Sequence, residues 1–347
     1  MHPSQSTDTG LADLKQRHDA LVAAEPKLRM RERAARLGAS EAELVAADCG
    51  VASVALQGTP QALFRELGPL GEVMALTRNE WCVHERHGRY LDIQAEGPVG
   101  LVLGPDIDLR VFFQSWRFAF AVTENGRRSL QFFDREGVAV HKVYATDATD
   151  RAAWQTLVER FAAPKTPVQT EAIAAPEELQ QAEDAAALRA HWLGLKDTHD
   201  FFPMLRKFRL ARLAALRAAG KDLAQQVEPD TIERVLQSAA ASELSIMCFV
   251  GNRGMVQIHS GPVRKLVRTG PWYNVLDPRF NLHLDTGAIT SCWVVNKPTT
   301  DGWVTSLEAY AGGELVVQFF GARKPGQPEL TAWRGLLLGL CDEPLAA

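Results

Sequence analysis

The chain repeats itself, and that constrains its fold more than any single motif does. Met74 and Asn79, in the run MALTRN, stand 173 residues before Met247 and Asn252 in MCFVGN. At the same offset Asp108-Leu109-Arg110-Val111 falls on Asn281-Leu282-His283-Leu284. With an insertion of four, Ser129-Leu130 falls on Ser306-Leu307, and Ala153-Trp154 lies 179 residues before Ala332-Trp333. A shared offset that grows through loop insertions is what two copies of one structural unit give. A chain of 347 residues has room for two such units.

The texture of each copy predicts its class. Residues 11–48 carry apolar side chains at helical spacing, with Ser40 placed to cap a segment that opens at Glu41. From Glu72 to Tyr144 come short runs rich in Val, Leu, Phe and Trp, separated by Gly, Asn and Asp, which read as strands. Trp154 to Phe161 reads as a closing helix. Ala163 to Pro176 contains three prolines and reads as a linker. The order then recurs: helices over about 177–241, strands from Ile246 to Gly321, and a last helix near Leu330 to Leu340. The prediction is an α+β tandem duplication, each half helices followed by a large, mainly antiparallel sheet. Its first repeat is 1–162, its linker 163–176 and its second repeat 177–347.

Bulk properties narrow the function classes. The formal net charge of -4 supplies no overall basic field for nucleic acid or anionic lipid, so any anion site must be a local cluster of Lys and Arg. The polar N-terminus does not read as a secretory signal, and no apolar run reaches the ~18 residues of a membrane helix. Five scattered cysteines without a CxxC pair suit a reducing cytoplasm, with buried thiols as small apolar fillers.

The most unusual segment is Lys196-Asp-Thr-His-Asp-Phe-Phe-Pro-Met-Leu-Arg-Lys-Phe-Arg. Asp197 is a good N-cap, Pro203 is tolerated only near a helix start, and the apolar spacing predicts a helix running on to Gly220. His199 then sits in the first turn beside Phe201 and Phe202, with Arg206, Lys207, Arg209 and Arg212 following. Such a histidine is suited to ligating the iron of a planar apolar macrocycle whose carboxylates need cations. A helix-start histidine with a solvated basic face fits the same residues.

This segment resembles the signature helix of the HemS/ChuS/PhuS family of haem-degrading or haem-carrying proteins. The blocks DLRVFFQSW, SLQFFDREGVAVHKVYATD, KPTTDGWVTSLE and FFGARKPGQPE are similar to family blocks in the same order, over about residues 10–340. The resemblance implies that His199 is the axial ligand to haem iron, that Arg110 faces the distal side with Phe112 beside it, and that haem lies between the halves. It implies that Arg212, Lys297, Gln318, Phe320 and Arg323 line the pocket, the cations meeting the propionates. Phe320 stands where several members have Tyr, so a hydroxyl is lost. His283, the counterpart of Arg110, marks either a second, weaker haem site or a core or edge histidine. His84, His87 and His141 are expected to be structural or surface residues.

Function then divides two ways. The resemblance implies a cytoplasmic protein that accepts haem from an uptake ABC transporter, and either passes it to a haem oxygenase or itself opens the porphyrin with Arg110 as distal stabiliser. No glycine-rich nucleotide fingerprint supplies electrons. Alternatives are storage of haem, or a haem-responsive DNA-binding regulator using the helices around Arg31–Val45. Glu41 and Glu43 would repel phosphate from that second helix, so nucleic acid is disfavoured.

Overall fold

Local chemistry sets the first elements of the computed structural model, which describes residues 4–165, 167–323 and 326–347. Helices α1 (Ser4–Ala24), α2 (Met30–Leu37) and α3 (Glu41–Ala47) open the chain. Gly38 ends α2 at φ 63, a left-handed conformation that glycine adopts without a Cβ penalty. Ser40 then starts α3: its hydroxyl accepts from the Glu43 N–H at 3.2 Å, while the Glu43 carboxylate accepts from the Ser40 N–H at 2.7 Å. Almost every residue of α3 is buried, Glu41 included. A helix so enclosed leaves little of its surface for a DNA groove.

After them come β1 (Ser53–Leu56), α4 (Pro60–Arg65), β2 (Gly71–Arg78), β3 (Cys82–Gly88), β4 (Ile93–Gln94), β5 (Val99–Leu103), β6 (Asp108–Phe112), β7 (Phe118–Glu124), β8 (Arg127–Phe133), β9 (Ala139–Thr149), α5 (Arg151–Phe161) and β10 (Ala162–Ala163). The second half has α6 (Ala185–Leu193), α7 (Phe201–Lys207), α8 (Arg212–Ala218), β11 (Ala224–Val227) and α9 (Thr231–Ala241). It continues with β12 (Ile246–Asn252), β13 (Met255–Gly261), β14 (Leu266–Thr269), β15 (Trp272–Leu276), β16 (Phe280–Asp285), β17 (Ser291–Thr299), β18 (Gly302–Ala311), β19 (Glu314–Gly321) and α10 (Thr331–Leu338). No described helix is long and apolar enough to cross a membrane.

Two compact units result. One comprises the chain up to Arg78, Glu85–Ala174 and Gly251–Gln257; the other comprises Asn79–His84, Ala175–Val250 and Ile258 onward. Within the first, strands follow the order β10-β1-β7-β8-β9-β2; within the second, the order is β11-β17-β18-β19-β12. Apart from the short β10, these are the same succession of duplicated strands, and the register agrees. Met74 pairs with Tyr144 as Met247 pairs with Phe320, and Ser129 pairs with Tyr144 as Ser306 does with Phe320. Each unit is α+β with mainly antiparallel pairing.

The recurring asparagines have a shared structural task. In the second unit Asn79 Nδ2 donates to the Val316 carbonyl at 2.7 Å, and its Oδ1 accepts from the Trp81 and Cys82 N–H groups. In the first, Asn252 Nδ2 donates to the Val140 carbonyl at 2.8 Å and its Oδ1 accepts from the Gly254 N–H. An Asx turn that also closes onto a neighbouring strand satisfies backbone groups no ladder reaches.

The helix expected to run from Asp197 to Gly220 is broken. Arg209 takes φ 50, and Leu179 inserts beside the break: its N–H donates to the Arg209 carbonyl at 2.7 Å and its carbonyl accepts from the Ala211 N–H at 3.0 Å. Backbone groups freed by the interruption are thus repaired by an extended segment. Strand β11 also interrupts the predicted helical stretch, because its edge pairs with β17. Gly220, at φ 96, closes the last turn after α8 as expected.

His141 and His84 are buried, in keeping with structural roles. His141 Nδ1 meets Thr77 Oγ1 at 2.9 Å and Nε2 meets the Tyr90 hydroxyl at 2.5 Å. Burial pushes this imidazole down to about 3 from 6.5. Below the unfolded value the unfolded chain binds a proton that the folded protein refuses, so stability present above pH 6.5 is lost as pH falls towards 3. Urea unfolding at pH 4 should therefore show a loss of about 3 kcal/mol relative to pH 7 from this residue. His141→Gln should remove that part of the loss; an unchanged pH slope would mean other groups carry it.

Candidate functional site

The second unit presents the histidine in a well-defined way. Asp197 caps a short 3-10 turn, Thr198–Asp200, that leads into α7. Its Oδ1 accepts from the His199 backbone N–H at 2.8 Å and meets His199 Nδ1 at 2.5 Å. With Nδ1 held by a carboxylate, the proton belongs on that nitrogen and Nε2 carries the lone pair. The bond from the His199 N–H, with the side-chain bond and the imidazole after it, holds the Asp197 carboxyl below its ordinary value, and Arg323 adds to the effect. The imidazole itself is 84% exposed. Phe202 follows at 60% exposure, an uncommon position for a large apolar ring. Pro203 falls in the first turn of α7, where its missing N–H costs nothing.

Beneath this turn lies a buried polar cluster that the sequence reading did not single out. Its centre is Glu308 on β18, fully buried. Arg212 grips the carboxylate in a fork, Nε to Oε2 at 2.8 Å and Nη2 to Oε1 at 2.6 Å. The Tyr310 hydroxyl donates to Oε2 at 2.6 Å. Lys297 Nζ at 3.1 Å, Ser306 Oγ at 3.1 Å and Gln318 Nε2 at 2.9 Å all donate to Oε1. Alternation on β18 puts Ser306, Glu308 and Tyr310 on one face. An acidic residue inside a strand-like run was the available signal: a buried carboxylate demands partners.

The charges explain the electrostatics. Burial alone raises the Glu308 carboxyl, but Arg212 and Lys297 together hold it well below the ordinary range. Burial pushes the Lys297 ammonium down to about 8, with Arg212 adding to the fall and Glu308 opposing it. Arg212 is raised by the carboxylate it grips. Two cations meeting one carboxylate leave the cluster with one excess positive charge.

Of the residues expected to line a pocket, Arg212, Lys297 and Gln318 thus converge on Glu308. Phe320 lies beside them, its ring 5.9 Å from Lys297 Nζ and 5.0 Å from the Phe249 ring. Arg323 Nη1 donates to the Gln327 carbonyl at 2.9 Å and lies 3.6 Å from Asp301. Arg110 and Phe112 belong to the first unit, on β6, where the half-exposed residues 108, 110 and 112 share a face. Arg110 is paired there with the Asp108 carboxylate and donates to the Leu109 carbonyl at 3.1 Å. His283 Nδ1 meets Asn274 Oδ1 at 2.7 Å across the β15–β16 pair, which matches the Leu101–Arg110 pair of β5–β6.

A single exposed imidazole nitrogen, backed by a carboxylate and flanked by an exposed aromatic ring, suits one axial ligand to a flat metal macrocycle. It does not suit a closed structural metal site, which needs four protein ligands.

Comparison with known proteins gives the family of the chain. The model of the haemin-degrading HemS.ChuX domain matches twice, at residues 38–161 and 209–340, once in each copy. His199 lies between the two matches. The hemin transport protein HmuS of Yersinia pestis is 41% identical over 343 residues, covering 97% of this chain and 99% of that one. The crystal structure of apo-PhuS, a haem-binding protein from Pseudomonas aeruginosa, is 48% identical, with a TM-score of 0.92 over 95% of this chain and 99% of that one. The haem-degrading enzyme ChuS of Escherichia coli O157:H7 is 36% identical, with a TM-score of 0.91 over 95% and 99%.

Proposed function

Because this chain belongs to the haemin-degrading HemS.ChuX family, we propose that it binds haem through His199 and works in the cytoplasm as a carrier, taking haem from an uptake transporter and handing it on. The observation that carries the reading is the His199 imidazole, open to solvent and held at Nδ1 by Asp197 so that Nε2 is the free donor. A ligand this exposed lets cargo arrive and leave, which a carrier requires.

Haem, when bound, brings an iron that accepts the imidazole and a ring that needs an apolar seat. Phe202 and the half-buried Phe320 offer ring surface in the second unit, and the excess positive charge of the Glu308 cluster favours an acid-bearing ligand. Asp197 fixes the imidazole's tautomer and orientation. Arg110 stays a proposed haem-contacting residue, and ring opening remains the activity against which the carrier reading is tested.

That test is an absorption titration with haem, followed by ascorbate or a reductase system in air with catalase present. A saturable Soret band at one equivalent that stays until a haem oxygenase is added is the expected result. Decay with release of iron in the protein alone would make it a degrading enzyme. No Soret shift would sink haem binding altogether.

A further inference from the structure

We propose that Glu308 is a positioning residue for the ligand histidine: by holding Arg212 and Lys297 over the ring of Phe201, it fixes the turn from which His199 projects. The inference rests on His199 being the ligand and adds the residue that orients it.

The geometry forms an unbroken chain of contacts inside the second unit. Arg212 Cζ and Lys297 Nζ each lie 4.7 Å from the centre of the Phe201 ring. Both cations are tied to the Glu308 carboxylate. Phe201 also meets Trp192 edge-on at 4.6 Å, and Trp192 is fixed in turn by donating to the Asn296 carbonyl at 3.0 Å. Phe201 is buried although its neighbours His199, Asp200 and Phe202 are not. It is therefore the inward anchor of an otherwise exposed turn, and cations over its face add an attraction that aliphatic packing lacks.

The first copy is an internal control. The register that pairs Glu308 with Trp293 and Gln318 pairs Gln131 with Phe120 and Lys142, so Gln131 occupies the Glu308 position. There the carboxylate comes from Glu41, the first residue of α3, paired with Arg78 and 3.9 Å from Lys142. In the second copy it is the cation, Arg212, that opens α8. Both copies fasten a helix start to the sheet by a buried ion pair, with reversed polarity. Among the described residues, the second places an aromatic ring under its cations, two residues after a histidine.

The test reads the haem-free protein first. Amide hydrogen exchange across His199–Leu205 should quicken at least tenfold in Glu308→Gln, which removes the charge and keeps the shape, while α9 and β17 change less. Phe201→Leu, which leaves the ion cluster intact and deletes the ring, should give the same local loosening. If Glu308→Gln does not fold, Glu308→Asp, which withdraws the charge by one methylene, should loosen the same amides. In loaded protein both variants should transfer haem to an apomyoglobin acceptor faster than wild type. Exchange across the turn that stays at the wild-type rate in a folded Glu308 variant overturns the proposal. So does loosening spread evenly over the unit, which would mark a merely structural role. A wild-type protein that gives no Soret band would instead overturn haem binding, a separate outcome.

Discussion

His199→Ala should abolish the saturable Soret shift that the wild-type protein gives with haem. The imidazole is almost wholly solvent-exposed, so its removal takes away little packing, and an exposed substitution outside the cap itself changes stability by only about 0.5 kcal/mol. Loss of the spectrum would thus report on the iron bond and not on unfolding. Asp197 grades the argument. As the carboxylate behind Nδ1 it has the place of an outer-shell partner, whose loss costs about 10–100-fold in metal affinity. Asp197→Asn should fall in that range with the Soret band retained, and His199→Ala should fall below it. Circular dichroism would show both variants folded. Spectra unchanged in His199→Ala would remove the ligand assignment, whereas equal losses in the two variants would mean that Asp197 acts by capping the turn.

Much of this architecture could be read from the residues because its signals are local or periodic. The offset between Met74-Asn79 and Met247-Asn252 reflects two asparagines making the same pair of turn and cross-strand bonds. Ser40 and Asp197 announce their caps by side-chain chemistry within three residues. Two features had no such signature. The break at Arg209 depends on Leu179, 30 residues upstream, completing the backbone hydrogen bonds, and propensity in α7–α8 alone argues for one continuous helix. The Glu308 cluster gathers residues from α8, β17, β18 and β19, and Arg212 lies 96 residues before the carboxylate it grips. The resemblance implies Arg212, Lys297 and Gln318 as pocket residues and says nothing of their common partner. Two cations and an amide share one carboxylate only once the fold brings four separate elements together.

That shared carboxylate makes the second unit asymmetric in how it tolerates change. Arg212→Met should destabilise it by about 3–5 kcal/mol, because Glu308 would remain buried without its forked partner. The side chain is not lost as packing: Met retains most of the apolar stem, so the cost reports on the stranded charge. Glu308→Leu alone should be equally severe for the opposite reason, leaving Arg212 and Lys297 facing each other. The double variant Arg212→Met, Glu308→Leu should recover a large part of either loss, since a well-packed apolar pair often replaces a buried ion pair at little cost. Here recovery has a ceiling, because Lys297 also donates to Glu308 and would be left with its charge. Burial already holds that ammonium near 8, so it can shed its proton where Arg212 cannot. The double variant should therefore gain stability as pH rises from about 7 to 9, as the folded protein ceases to hold a buried cation that the unfolded chain keeps in water. Urea unfolding of the four proteins at pH 7 and 9 measures the coupling directly. Additive losses at both pH values would show that the Arg212–Glu308 contact contributes nothing beyond its separate side chains.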